Sequence, residues 1–390
     1  MDNLQKRTWA EISLDNIEHN YKTMRARLPD GTRFLGVVKA NAYGHGACET
    51  ANLLQKIGCD YLAVDSIDEG VLLRGQGIII PMLIFGYTDP VYARELIKYG
   101  LTQMVDSVEA AHELAHRAAG GQVKVHIKVD SGMGRLGFIC RGDRNPREEI
   151  LSLMVTPGLD IEGIFTHFAA SDIQGEAFTR EQFNQFIKLV QELERDSGKK
   201  FKIKHCSNSG AMVNYDWTYL DMVRPGISLY GVYPEDSGRE MELRPAMELK
   251  TRVVSIKELR EGDTVSYGRI YTAPSARTIA VIGIGYADGL HRVLSGKMDV
   301  IVNGQRVPQI GRICMDMCMI DITDIQDVKV GDVVTVFGRD GDVFIPVEEQ
   351  AERAGTISYE LLCAVSPRVP RVYIDGSSCE YTSESTVSGT

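Results

Sequence analysis

Through the first half of the chain, short apolar and β-branched runs alternate with longer stretches whose apolar residues recur at helical spacing. The strand-like runs are Phe34–Val38, Tyr61–Val64, Ile79–Ile84, Leu101–Val105, Val123–Val129, Ile161–Phe165, Lys202–His205 and a last one around Ile227–Leu229. Amphipathic stretches such as Ala47–Lys56, Ala93–Tyr99, Val108–Ala118 and Arg180–Arg195 fall between them. A short strand pattern over Thr8–Ile12 and a helix through Met24 precede the series. Continuous apolar strands separated by helices are the mark of parallel strands covered on both faces. Eight of them predict an α/β fold, a closed (β/α)8 TIM-type barrel over residues 10–236, with an open doubly wound sheet as the alternative.

Beyond Tyr233-Pro234-Glu235-Asp236-Ser237-Gly238 the pattern changes to short strands with turn signals. These are Leu249–Lys257, Thr264–Tyr267, Thr278–Ile284, Val300–Val302, Val333–Phe337 and Arg371–Ile374, with helices around Val347–Arg353 and Ile357–Cys363. Asn303-Gly304 between apolar runs is a two-residue hairpin signal. Residues 237–376 are therefore expected to form a mainly β C-terminal domain. The stretch 377–390, rich in Ser, Thr and Glu without periodicity, is expected to be a disordered tail.

Composition narrows the partners. A length of 390 residues fits two domains rather than one core. The formal charge, 43 − 53 = −10, argues against a nucleic-acid partner. No apolar run reaches the length of a membrane span, and the N-terminus lacks the apolar core of an export signal, so a cytoplasmic enzyme with no membrane partner is expected. The eight cysteines are scattered and read as free thiols. Cys314 and Cys318 have no neighbouring Cys or His to complete a zinc set, so no metal is expected.

The residues with chemical potential follow the strand pattern. Lys39 comes after the first strand, Asp130 to Arg135 after the fifth, His167 after the sixth, Asn208 and Ser209 after the seventh, and Arg224 lies near the eighth. Barrel enzymes gather their catalytic groups at the C-terminal strand ends. A lysine amine at the mouth of a buried strand is costly as structure, but desolvation frees its lone pair to attack a carbonyl. Asp130-Ser131-Gly132-Met133-Gly134-Arg135-Leu136-Gly137 either merely turns the chain or brings backbone and a forked arginine onto a carboxylate. His167 alone is more often a hydrogen-bonded structural group than an acid or base. Ser207-Asn208-Ser209-Gly210 is by default a helix cap, and it also has the hydroxyl and free N–H groups that a phosphate needs. Gly226 and Ile227 offer further backbone N–H groups.

Lys39-Ala40-Asn41-Ala42-Tyr43-Gly44-His45-Gly46, Gly132-Met133-Gly134-Arg135, Val223-Arg224-Pro225-Gly226-Ile227 and Ser266-Tyr267-Gly268 occur in the order found in the alanine racemases. The chain resembles that family from about Trp9 to Ile374, nearly end to end. The resemblance implies a fold-type III enzyme that carries pyridoxal 5'-phosphate on Lys39 and interconverts L- and D-alanine, supplying D-alanine for the bacterial wall. It implies that Tyr43, Asn208, Ser209, Gly226 and Ile227 surround the phosphate end, that Tyr359 touches the phosphate or screens the entrance, that His167 lies beside the ring, and that Arg224 faces the pyridine nitrogen. An arginine there cannot accept a proton, so the ring nitrogen stays unprotonated and the ring is a weaker electron sink, which suits removal and return of a proton.

By the same resemblance Arg135 and the Met315 backbone hold the substrate carboxylate, and Lys128 corresponds to a lysine that is carbamylated in some relatives. Lys39 and Tyr267 serve as the two acid/bases. A tyrosine before glycine in a β domain is more often packing than catalysis, so Tyr267 is selected only by the resemblance. In the family it reaches the partner's barrel, and Tyr286 stands at the entrance from the same side. A head-to-tail homodimer with shared active sites follows. Three alternatives stand beside alanine racemisation: a racemase of this build preferring serine or another small amino acid, a decarboxylase, which Arg224 contradicts, and a single-domain cofactor carrier, which the β domain contradicts.

Overall fold

A computed structural model describes residues 6–173, 175–234 and 241–374. The chain divides into two compact units. In the first, eight parallel strands run in the order Met222–Val223, Arg33–Val37, Tyr61–Val64, Met82–Ile84, Leu101–Val105, Val123–Asp130, Leu159–Phe165 and Ile203–His205. Tyr61–Val64, Met82–Ile84 and Leu101–Val105 are buried at every position, as parallel strands sheathed by helices must be. The sheathing helices include Ala47–Lys56, Ile67–Gly75, Val108–Arg117 and Ala177–Ser197. Ser66 and Ser107 cap two of them by accepting from Glu69 N–H and Ala110 N–H, which turns each chain reversal into a defined helix start.

The cylinder is nearly closed. Met222 pairs with Arg33 and Val223 with Phe34 on one side of the last strand. On the other side no ladder forms, but the Asp221 N–H donates to the Lys204 carbonyl at 3.1 Å and the Arg224 N–H to the Ser207 carbonyl at 2.9 Å. The Asp221 carboxylate closes the same seam by accepting from the Lys204 N–H at 2.8 Å.

The expected eighth strand at Ile227–Leu229 is a correction: the strand is Met222–Val223, and Ile227–Tyr230 is a buried 3-10 turn. A buried turn of apolar residues gives the same apolar signal as a strand. The third strand is also shorter than expected, because Ile79 points into solvent.

The second unit is built on a nine-stranded sheet. Met247–Leu259 runs through its middle and pairs antiparallel with Arg277–Ile282, Val333–Asp340 and Thr8–Ser13. Thr8–Ser13 also pairs in parallel with Arg371–Ile374. Residues 10–13, counted with the barrel from the sequence, therefore belong to this sheet, where Ala10 and Ile12 are fully buried. The expected hairpin forms: Asp299–Val302 pairs with Gln305–Ile310 across Asn303 and Gly304, both with positive φ, 49° and 69°. Gln305–Ile310, Cys318–Asp321 and Val343–Ile345 are strands that the apolar pattern did not reveal. The boundary expected at 236/237 and the tail at 377–390 lie outside the described residues. Among the described residues the seven cysteines are free, and no helix is long and apolar enough to cross a membrane.

Asp221→Ala should open the seam between the last two barrel strands, lowering stability by about 1–3 kcal/mol through the unsatisfied Lys204 N–H. Urea unfolding followed by circular dichroism measures it.

Candidate active site

At the C-terminal ends of the barrel strands the chain gathers positive charge. Directly after Lys39 the backbone makes a left-handed turn, with Ala40 at φ 52°, Asn41 at 53°, Ala42 at 54° and Tyr43 at 54°. L-residues resist this conformation by roughly 1–2 kcal/mol each, so such a run persists only where its surroundings hold it. The holding contacts are specific. The Asn41 Oδ1 accepts from the Ala47 N–H at 2.8 Å and so caps the next helix, and the Ala42 N–H donates to the Val38 carbonyl at 2.8 Å. One carboxylate, Glu69, accepts from both the Ala40 N–H and the Asp65 N–H, each at 2.7 Å. The Lys39 Nζ is left pointing to the Asp65 carboxylate, 2.8 Å away.

Arg224 is buried and its donors are taken up from the ends of two strands, Leu159–Phe165 and Ile203–His205. Nη1 donates to His205 Nδ1 at 2.9 Å, and Nη2 to the Thr166 carbonyl at 2.9 Å and the Cys206 carbonyl at 3.2 Å. His167 Nδ1 lies 3.4 Å from Nη2. Burial brings the guanidinium down to about 10, so it is still charged at neutral pH. Loss of hydration, then the charges of Lys128, Arg224, Arg135 and Lys39, push the His167 imidazole well below its ordinary range. His167 is therefore a neutral ring that accepts from Arg224 on Nδ1 and carries its proton on Nε2.

Lys128 is buried over the face of Phe165, 4.5 Å from the ring centroid, and forms no ion pair among the described residues. Desolvation first, then Arg224 and Arg135, drive its amine well below the usual lysine range. Arg135 is exposed on the glycine-rich loop, which curls around Asp130: that carboxylate accepts from the Gly132 N–H at 2.9 Å and the Gly134 N–H at 3.0 Å. The loop crosses the fifth strand at Gly137, where a Cβ would lie 2.7 Å from the Asp130 nitrogen.

Asn208 does what a helix cap does, accepting from the Ala211 N–H at 3.0 Å and the Ser171 hydroxyl at 2.7 Å. The Ser209 hydroxyl accepts from the Gly226 N–H at 2.8 Å and the Ser228 N–H at 3.4 Å, which leaves its own proton to donate. Beside it in this turn, the Ser207 and Ser228 hydroxyls are fully buried with no partner among the described residues. Orphaned hydroxyls next to a cationic mouth fit a phosphorylated anion, because a bare apolar ligand would leave them unsatisfied.

The remaining expected residues lie in the second unit. The rings of Tyr43 and Tyr359 are 5.9 Å apart. Tyr267 is 70% exposed in a tight turn and not in the expected strand, which stops at Val265. The Ser266 hydroxyl anchors that turn to the Arg312 carbonyl at 2.7 Å. Met315 also lies in a loop and is 53% exposed. Tyr286 and Ala287 donate backbone N–H groups to the Cys314 and Met315 carbonyls at 3.0 Å. Two loops thus hold Tyr286 and Met315 together, and the Ser266 bond to Arg312 brings the Tyr267 turn beside them. Asp65, Glu69 and His205 were not singled out from the sequence, although Asp65 and His205 obey the same strand-end rule as Lys39. No group of residues that could hold a metal ion occurs among the described residues.

Comparison with known proteins decides the family. Residues 12–234 match the model described as "Alanine racemase, N-terminal domain", and residues 246–373 match "Alanine racemase, C-terminal domain". The chain belongs to the alanine racemase family. It is an enzyme that interconverts the alanine enantiomers, in a family that depends on pyridoxal phosphate. An alanine racemase of Clostridium perfringens is 45% identical over 381 residues, 96% of this chain and 97% of that one. One from Desulfosudis oleivorans is 43% identical over 380 residues, 95% of this chain and 97% of that one. The structure superposes on alanine racemase from Clostridium difficile with a TM-score of 0.91 at 41% identity, covering 98% of each chain. Against the Bacillus anthracis enzyme with bound L-Ala-P the TM-score is 0.90 at 34% identity, covering 97% of this chain and 98% of that one.

The glycine loop offers a controlled test. Gly134 has φ 71° with open space around it, whereas Gly137 has φ 123° and strand backbone within 2.9 Å of where its Cβ would lie. Gly134→Ala should cost about 1–2 kcal/mol, the strain of an L-residue alone. Gly137→Ala should cost clearly more, because strand backbone leaves its Cβ no room. Thermal denaturation separates the two.

Proposed function

We propose that the chain racemises alanine with pyridoxal phosphate bound at the barrel mouth, using Lys39 and Tyr267 as its two acid/bases. The observation that carries this reading is the set of cations around the neutral His167 ring, Lys39 among them and Arg224 buried at its side. Such a mouth suits a ligand with a phosphate at one end and a substrate carboxylate at the other. Ser209, with the orphaned Ser207 and Ser228 hydroxyls and the Ile227 N–H, would hold the phosphate. The bound cofactor supplies electron withdrawal from Cα, which acidifies its proton.

The chain's own groups do the rest. Arg224 would lie toward the pyridine nitrogen and would leave it unprotonated, since a guanidinium donates and does not accept. Electron withdrawal is then enough for proton exchange and too weak to favour transamination. Arg135 and the Met315 N–H orient the substrate carboxylate. Lys39 takes or returns the Cα proton on one face, and the partner subunit's Tyr267 does so on the other. Each chain of a head-to-tail dimer thus lacks part of its own site. The exposure of Tyr267, Tyr286 and Met315 in one unit supports this, because aromatic and apolar side chains left in solvent suit an interface. We assign the enzyme to the cytoplasm and its D-alanine to wall synthesis.

Lys128 is assigned a second modification. An unprotonated amine attacks carbon dioxide, forming an N–C bond and releasing one proton, and the carbamate would pair with Arg135. A mass gain of one carbon dioxide, lost on acidification and absent in Lys128→Ala, is expected in native mass spectrometry. An unmodified Lys128 would remove this assignment.

Two measurements test the function. With L-alanine in D2O, deuterium should appear at Cα in both enantiomers, faster than with L-serine. Exchange of neither amino acid would overturn the reading, and faster serine exchange would change the preferred substrate. Lys39→Ala and Tyr267→Phe chains should each be inactive, while refolding them together should restore about a quarter of the wild-type rate, from hybrid dimers with one intact site. No recovery on mixing would rule out the shared site.

A further inference from the structure

The hydrogen bonds that hold Arg224 continue past His205 into the barrel. His205 Nε2 lies 2.8 Å from His126 Nδ1, and His126 Nε2 lies 3.3 Å from the Glu162 carboxylate. Both rings are fully buried. Glu162 also accepts from the Tyr61 hydroxyl, and its other oxygen faces Lys124 Nζ at 3.3 Å. The charges of Arg224 and Lys128 act on His205, and that of Arg33 on Tyr61.

Donor chemistry gives this chain a direction. A guanidinium only donates, so His205 accepts on Nδ1 and, as a neutral ring, carries its proton on Nε2. That proton goes to His126 Nδ1, so the His126 proton is also on Nε2, aimed at Glu162. Burial first, then the charge of Arg224 and its neighbours, pushes the His205 ring well down; burial likewise lowers His126, against the pull of Glu162. Burial alone would raise the Glu162 carboxyl, but the hydrogen bonds from His126 and Tyr61 outweigh it and hold the group at about 2. Two neutral rings thus connect a buried cation to an anion.

The backbone is shaped for this arrangement. The ladder between the fifth and sixth strands pairs Val125 with Ile161 but His126 with Gly163, leaving Glu162 as an extra bulged residue. A bulge re-aims a side chain. At Gly163 a Cβ would lie 2.7 Å from the His126 ring and 2.8 Å from the Ile203 carbonyl, so only glycine leaves room for the imidazole.

We propose that His126 and Glu162 are positioning residues for the racemase: with His205 they form a directed relay that fixes the Arg224 guanidinium at the barrel mouth and sets an anion against its charge. The proposal rests on the role assigned to Arg224 above. His205 is the sole partner found for Nη1 among the described residues. If its proton moved to Nδ1, two donors would face each other and Arg224 would have to shift. The Glu162 charge prevents this by keeping the His126 proton on Nε2.

The test uses holoenzyme labelled with 15N at histidine, read by NMR without substrate. His126 and His205 should both appear as neutral rings protonated on Nε2. Glu162→Gln keeps the shape and removes the charge, and should lower kcat about tenfold while KM changes little. It should also shift the visible absorbance of the bound cofactor, which a purely structural role for Glu162 would not move. A His205 protonated on Nδ1 in the wild type would overturn the relay, as would a Glu162→Gln enzyme with unchanged kcat and unchanged absorbance. Failure of the underlying reading looks different: Arg224→Ala would leave that absorbance unchanged while the two tautomers stayed as stated.

Acid stability gives a second signature. Glu162 sits below its ordinary value of 4.5, so its contribution is complete above that pH and is lost as pH falls toward 2. Glu162→Gln should flatten the loss of stability over that window in thermal melts.

Discussion

Positive charge held out of water at the barrel mouth is the constraint on which the rest of this structure depends. Arg224 and Lys128 are both buried over the Phe165 ring, and with Lys39 and Arg135 they depress His167. Burying one unpaired charge is costly, and a second beside it is costlier, which is why the Lys128 amine is driven toward its neutral form. Asp65 pairs with Lys39, but among the described residues no carboxylate forms an ion pair with Arg224 or Lys128, and the chain offsets their burial in other ways. Carbonyls of Thr166 and Cys206 accept from Arg224, the Phe165 face accommodates Lys128, and the charge of Glu162 is conveyed through two imidazoles. What is left uncompensated is a demand for an anionic ligand, which a phosphorylated cofactor and an amino-acid carboxylate would meet. Structure and chemistry are linked here through one electrostatic account.

Much of this was legible in the residues. Apolar runs located seven of the eight barrel strands, and the rule that barrel chemistry follows strand ends selected Lys39, Arg135, His167 and Arg224. The eighth strand was misplaced because Met222–Val223 is only two residues long, while the nearby Ile227–Tyr230 turn is as apolar as any strand. Residues 10–13 were assigned to the barrel because sequence order, not pairing, was the guide, and a strand with two partners far along the chain gives no local sign of them. His126 and Glu162 were passed over for a related reason. His126 lies inside an apolar strand pattern, and nothing local reveals that a bulge turns Glu162 toward it.

Tyr267 marks the limit of reading chemistry from residue type. Neither its neighbours nor its exposed turn distinguishes it from an ordinary surface tyrosine, and its selection came from resemblance alone. Lys39 is the opposite case. The segment after it reads as a plain Ala-Asn-Ala-Tyr connection, yet the backbone adopts four successive left-handed residues held by Asn41 and Glu69. Strain of that kind concentrates where a side chain must be presented in one direction.

The assignment of Lys39 as the cofactor's attachment point is therefore the claim on which the mechanism rests most directly. Reducing the pyridoxal-phosphate-loaded enzyme with borohydride, then mapping its peptides by mass spectrometry, would locate any bond between cofactor and chain. The expected result is the reduced cofactor's mass on the peptide containing Lys39 and on no other. Its appearance on Lys128 or another lysine, or on no peptide at all, would contradict the account.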